Sequence, residues 1–192
     1  MAAANITKYQ FPKSLGLDPG FSSSAFGYCV TQYKDGIIEV LEADDVEKAN
    51  YEDMVVHCYL LIRKYNITRV YIDGSNPAFI QSLTRRIGQR YDEAKEILSD
   101  YNDLFKYAGY GTRFKIVPVN FMSMHKRMLG HLQSLVSKRL LGINPKFEKL
   151  IIALRTAYAR DLMLDKEQTS YPDILDALRL NLLNYPLRSS RS

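Results

Sequence analysis

Short apolar runs and amphipathic stripes succeed one another along the chain, and most of them declare their element type. Ser14-Leu15-Gly16-Leu17-Asp18 is an apolar run ending on an acid, which predicts a buried strand. Two β-rich runs, Ala25 to Tyr33 and Ile37 to Ala43, flank Lys34-Asp35-Gly36, and Asp-Gly between such runs predicts a hairpin. The first three strands are therefore expected to form an antiparallel meander. From Tyr51 to Tyr65 the residues Tyr51, Met54, Val55, Cys58, Leu61, Ile62 and Tyr65 recur at intervals of three and four, the mark of an amphipathic helix. A strand is expected over Thr68 to Gly74, again with an acid at its end, then a helix from Pro77 with Phe79, Ile80 and Leu83 inward.

Beyond these, Phe114 to Val119 reads as a strand. A helix over roughly 123–140 is expected to turn Leu129, Leu132, Val136 and Leu140 inward and Arg127, His131, Ser134 and Lys138 outward. Gly142-Ile143-Asn144-Pro145 breaks it, Phe147 to Tyr158 forms another helix, and Pro172 opens a last one to about Leu183. The tyrosine-rich stretch from Gln89 to Thr112 reads as an inserted excursion. The expected organisation is an irregular arm over 1–13, one domain over 14–186 and a tail over 187–192.

This order of elements predicts an α/β domain, a mixed five-stranded sheet with helices on both faces. A right-handed crossover through the 51–65 helix sets the Asp73 strand parallel to the Asp18 strand, so both acids fall at one carboxyl edge. On neighbouring strands they would lie about 4.8 Å apart.

Composition narrows the class. The 192 residues, 46% of them hydrophobic, suffice for one domain with a sizeable core. No apolar run approaches the roughly 18 residues of a membrane span, and the first ten residues lack a signal-peptide pattern, so a cytoplasmic protein without a membrane partner is expected. Cys29 and Cys58 are far apart, which excludes a disulfide framework and a zinc knuckle. His57, His125 and His131 lack cysteines or acids at ligand spacing and are expected on helix surfaces. The net charge of +5 suits a polyanionic partner, and the basic residues lie mostly in the second half of the chain. Among the basic residues, Lys126, Arg127 and Lys138 are expected to form a helix surface facing such a polyanion, with Arg85 and Arg86 as a second wall.

Candidate chemistry rests on acids from three separate places. Asp18 and Asp73 each end an apolar strand, and Asp173 and Asp176 stand three apart on the final helix. Each alone is also a turn-forming or helix-start residue. Together they match what hard divalent ions such as Mg²⁺ or Mn²⁺ require, and what a phosphodiester hydrolase using two ions about 4 Å apart requires.

The segments Gly16-Leu17-Asp18-Pro19-Gly20, Tyr71-Ile72-Asp73-Gly74 and Asp173-Ile174-Leu175-Asp176-Ala177-Leu178 resemble the nuclease domain of viral large terminase subunits, archaeal proviral versions among them. The resemblance covers about Leu15 to Tyr185. It implies the three-layer RNase H-like fold of the retroviral-integrase superfamily and metal-dependent cutting of concatemeric duplex DNA. Two Mg²⁺ or Mn²⁺ ions would be held by Asp18, Asp73 and Asp176, with Asp173 auxiliary, and Lys126 would contact a phosphate. The implied partners are double-stranded DNA, a packaging ATPase domain or chain, a portal and a small terminase subunit. Where that family has His-Asp-Asp, this chain has Tyr171-Pro172-Asp173, which leaves the division of labour between Asp173 and Asp176 open. No Gly-x-x-x-x-Gly-Lys-Ser/Thr motif occurs in these residues, so any motor activity belongs to a further domain or to another chain. Related alternatives are a RuvC-type Holliday-junction resolvase, which shares the Asp-Pro-Gly opening, and a catalytically silent nucleic-acid-binding module. A more distant one treats Asp18 to Ser24 as the phosphate turn of an actin-like ATPase.

Overall fold

The computed structural model of the chain describes residues 11–21, 24–97, 114–160 and 163–185. The 187–192 tail, the first ten residues of the expected arm and the part of the 89–112 excursion beyond Ile97 lie outside them. The meander forms as expected: β1 (Ser14–Asp18), β2 (Phe26–Lys34) and β3 (Ile37–Val46) pair antiparallel in sequence. The turn between β2 and β3 has Asp35 at φ 51° and Gly36 at φ 88°, the two successive positive values that a tight hairpin of this kind demands.

Helix α1 (Tyr51–Tyr65) begins at Asn50, whose side chain accepts the N–H groups of Glu52 and Asp53 at 3.0 and 3.2 Å, and ends at Asn66 in the left-handed region. Such a cap contributes about 1 kcal/mol, and the acids in its first turn and bases in its last suit the helix dipole. The chain returns as β4 (Arg69–Asp73), parallel to β1 and beside it. Helix α2 (Pro77–Ile97) is capped by Asn76 and carries Phe79 and Leu83 into the core. It continues without a break past Gln89, so the first residues of the expected excursion extend this helix.

After β5 (Lys115–Val119), which pairs parallel with β4, Asn120 caps α3 (Phe121–Ser137) by accepting Ser123 N–H at 3.1 Å. The cap starts this helix earlier than its apolar spacing indicated, and the helix ends at Ser137, before Leu140. His125, Met128, Leu129, Leu132 and Leu135 point inward, whereas Val136 is 50% exposed. Three short strands were not anticipated. β6 (Leu141–Gly142) adds a sixth strand beside β3, and β7 (Ala159–Arg160) pairs with β8 (Met163–Leu164) in a separate ribbon. Two residues are too few to leave a period in the sequence. Helices α4 (Glu148–Thr156) and α5 (Pro172–Leu182) complete the described elements.

The sheet order is β5-β4-β1-β2-β3-β6. On one face α1 and α2 bury Leu15, Leu17, Phe26, Val30, Val70 and Ile72. On the other, α3, α4 and α5 bury Cys29, Ile38 and Val40. The result is three layers with β1 near the middle of the sheet and both β1 neighbours in place before the site is reached. Cys29 and Cys58 are buried free thiols, and burial raises the pKa of each. No helix among the described residues is long and apolar enough to cross a membrane.

Candidate metal centre

Strand alternation decides where the first two acids point. Leu15 and Leu17 of β1, and Val70 and Ile72 of β4, face the α1/α2 core, so Asp18 and Asp73 belong to the opposite face, beneath α5. Leu17 pairs with Ile72 in parallel register, which brings the next residues, Asp18 and Asp73, level at the carboxyl edge.

Helix α5 is laid directly on this edge. A Cβ on Gly16 would meet Ala177 O at 2.0 Å, and one on Gly27 would meet Asp173 O at 2.1 Å, so the helix backbone approaches β1 and β2 where only hydrogen fits. Its start is fixed from outside. Tyr171, in the left-handed region, offers no side-chain cap, and buried Asp45 of β3 accepts Ile174 N–H at 3.1 Å instead. Burial raises the Asp45 pKa against the pull of that hydrogen bond. Lys149 of α4 braces the same place, donating to Asp44 Oδ1 at 2.7 Å and Asp45 O at 2.6 Å.

With α5 held so, one carboxylate oxygen from each of Asp18, Asp173 and Asp176 lies within 4.8 Å of the others. Asp173 also accepts Ala25 N–H at 3.2 Å. Asp176 is fully buried; its Oδ1 pairs with the equally buried Arg179 guanidinium, which stacks over the Phe121 ring at 5.1 Å. Asp176 Oδ2 is turned to the Lys166 ammonium, 2.8 Å away, and has no other polar partner among the described residues. Burial, then the charges of Asp176 and Asp173, push the Asp18 carboxyl up to about 8, although Lys166 opposes the shift. A pKa so raised marks a carboxyl whose charge is disfavoured by burial and by its like-charged neighbours even with the Lys166 ammonium beside it. Oxygen ligands about 2.1 Å from a hard ion sit on the order of 3 to 4 Å apart, so these three fit such an ion with slight tightening.

Asp73 stands apart from that trio. Its carboxylate accepts Ser75 N–H at 3.1 Å and the Ser75 hydroxyl at 2.7 Å, and its charge acts on Asp18 only as the weakest contribution to the raised pKa. The four acids expected to act together are therefore one tight group of three with a neighbour on the next strand.

Three residues at the centre were not among those singled out for it from the sequence. Lys166, in the turn after β8, places its Nζ 2.8 Å from Asp176 Oδ2, 3.2 Å from Asp173 Oδ1 and 3.7 Å from Asp18 Oδ2. Burial works against its charge, but the carboxylates outweigh it and hold its pKa above the ordinary value. Arg179 was visible as an i,i+3 partner of Asp176, the spacing of neighbours on a helix, yet an arginine there normally reads as solvated. His125 is buried instead of on a helix surface. Its Nε2 accepts Leu164 N–H at 2.8 Å, tying α3 to the short ribbon, and burial together with Arg179 lowers its pKa, which keeps it neutral. His131 likewise turns inward, its Nε2 lying 3.1 Å from Leu182 O.

Of the expected DNA-facing residues, Lys126, Arg127, Lys138 and Arg85 are exposed. Arg86 is half-buried with its guanidinium over the Tyr59 ring at 6.0 Å. Lys126 and Arg127 lie in the first turns of α3, near the carboxyl edge, whereas Lys138 follows the helix end, roughly 18 Å further along its axis. Arg85 and Arg86 belong to α2, in the other layer of the fold.

A three-layer domain with a meander, two parallel strands added at β1 and carboxylates at their ends is the RNase H-like fold of large terminase nuclease domains. The nuclease of the large terminase from thermophilic phage G20c, with bound magnesium, superposes with a TM-score of 0.65 at 16% identity, over 94% of this chain and 84% of that chain. The nuclease domain of the bacteriophage SPP1 large terminase, with bound Mn, gives 0.61 at 14% identity, over 95% of this chain and 93% of that chain. A longer large terminase from another thermophilic bacteriophage gives 0.64 at 11% identity, over 96% of this chain but only 42% of that chain. No family model and no curated protein matches the chain in sequence.

Proposed function

We propose that this protein is a metal-dependent endodeoxyribonuclease, the cutting domain of a viral DNA-packaging terminase, acting on concatemeric duplex DNA. The observation that carries the reading is the trio of Asp18, Asp173 and Asp176 at the carboxyl edge, in which the fully buried Asp176 keeps one oxygen free of every partner but the Lys166 ammonium. It gains support from the shared fold with the G20c and SPP1 nucleases, structures of which hold magnesium or manganese.

Two Mg²⁺ or Mn²⁺ ions would be held by Asp18, Asp173 and Asp176 together with Asp73 on the neighbouring strand. Such ions supply an activated water and stabilise the leaving oxygen of the phosphodiester. The chain's own contribution is positional. Arg179 occupies one oxygen of Asp176 and so leaves the other directed at the site. Gly16 and Gly27 keep α5 close enough for its two acids to meet Asp18. Lys126 and Arg127, with Arg85 and Arg86 from the opposite layer and Lys138 further off, would hold the phosphate backbone with little base readout. ATP hydrolysis would come from a packaging ATPase, with portal and small subunit as further partners.

Cleavage of labelled linear duplex and of a labelled four-way junction is compared for wild type and Asp18→Asn in Mn²⁺, with EDTA as the blank. Asp18-dependent cutting of the linear duplex without junction preference is expected. Paired symmetric nicks confined to the junction would make the protein a resolvase, and cutting of neither substrate would make it a binding module.

A further inference from the structure

The cation already present among the carboxylates belongs to the protein. Lys166 Nζ approaches all three members of the trio and lies closest, at 2.8 Å, to Asp176 Oδ2, the oxygen that Arg179 leaves free. A divalent ion bound by the same oxygens would need the same space. Two features make this lysine removable. Its side chain is 49% exposed, so one side opens to solvent and the ammonium can leave without crossing the core. Its backbone, by contrast, is anchored. Asp165 donates its N–H to Tyr158 O at 2.8 Å, and the Asp165 carboxylate accepts the N–H groups of Glu167 and Gln168 at 3.1 and 3.3 Å. The turn stays folded while a flexible four-carbon stem swings.

We infer that Lys166 is an internal counter-cation that competes with divalent ions for Asp18, Asp173 and Asp176. In metal-free protein it neutralises part of the charge that would otherwise force the three carboxylates apart. When an ion binds, the ammonium is expelled, and the cost of breaking its pairs raises the ion concentration at which the site fills. The lysine thus sets a threshold for loading. This inference rests on the trio being a metal site.

The test is calorimetric titration of MnCl₂ into EDTA-stripped full-length protein, for wild type, Lys166→Met, Lys166→Arg and Asp18→Asn, together with melting temperatures in EDTA and in Mn²⁺. Lys166→Met is expected to bind Mn²⁺ roughly three- to tenfold more tightly, from the loss of two or three partly exposed ion pairs. It should also melt lower than wild type in EDTA and recover in Mn²⁺, while Lys166→Arg, which keeps the charge, stays close to wild type in affinity. A melting temperature that falls in EDTA with an unchanged or weaker Mn²⁺ affinity would overturn the inference and leave Lys166 a structural residue, with the metal site intact. Wild type without saturable, Asp18-dependent Mn²⁺ binding would overturn the metal site and the inference together.

Discussion

Alanine at Gly27 separates the site's architecture from its chemistry, because Gly27 carries no functional group. The added Cβ would lie 2.1 Å from Asp173 O and 2.3 Å from Asp173 C, whereas ordinary contact begins at 3.4 Å. Both neighbours are backbone, so no side chain can rotate away, and the first turn of α5 has to retreat by more than an ångström. Gly27 pairs with Asp18 in the β1–β2 ladder, which directs the displacement along the line between Asp18 and the two acids of α5. Overpacking of this kind costs about 1–3 kcal/mol. Displacing metal ligands through their supports typically weakens ion binding by roughly 10- to 100-fold. Urea denaturation in EDTA and Mn²⁺ titration read the two effects separately. The control is Gly130→Ala on α3, where nothing lies within 4 Å of the added methyl and the helix should gain about 0.5–1 kcal/mol. If Gly27→Ala were as stable as wild type and bound Mn²⁺ equally well, the close approach of α5 would not be what assembles the trio.

Three further outcomes are expected. The Asp18 carboxyl has an ordinary value of 3.8 and is pushed up to about 8 in the folded, metal-free protein, so the folded state holds this proton more tightly than the unfolded one. Metal-free stability should therefore fall as pH rises from about 4 to about 8, and Mn²⁺ affinity should climb over the upper part of that range as the ion no longer has to expel the proton. Asp18→Asn should flatten the profile of melting temperature against pH. Arg179→Met leaves the buried Asp176 carboxylate without its closest partner and should cost roughly 3 kcal/mol in urea denaturation, most of it regained in the Asp176→Asn/Arg179→Met double variant. Lys126→Ala should weaken duplex binding and lower the slope of log K against log salt by roughly one, and Lys138→Ala, a helix length from the carboxylates, should change both less.

The fold was largely legible because its longer elements carry their periods openly. The limits of β1 and α1 follow from the apolar runs that end at Asp18 and Tyr65. The right-handed crossover through α1 then sufficed to place Asp18 and Asp73 at one edge. What escaped was set by contacts distant in sequence. β6, β7 and β8 are two residues each and exist through their neighbours. His125 could be buried because Leu164, thirty-nine residues away, donates to it. Lys166 belongs to a short turn whose position depends on that ribbon, and a lone lysine between Asp165 and Glu167 looks like any solvated charge. Asp45, the external cap of α5, reads from sequence as one more acid at a strand end. The acids themselves could be named, but their grouping into three plus one depends on how closely Gly16 and Gly27 admit the helix.

The central claim is tested most directly by the anomalous difference map of a crystal grown in MnCl₂. Manganese bound by Asp18, Asp173 and Asp176, with the Lys166 ammonium withdrawn from them, is the expected result. Manganese bound elsewhere, or an unchanged trio still closed by Lys166 at saturating Mn²⁺, would contradict it.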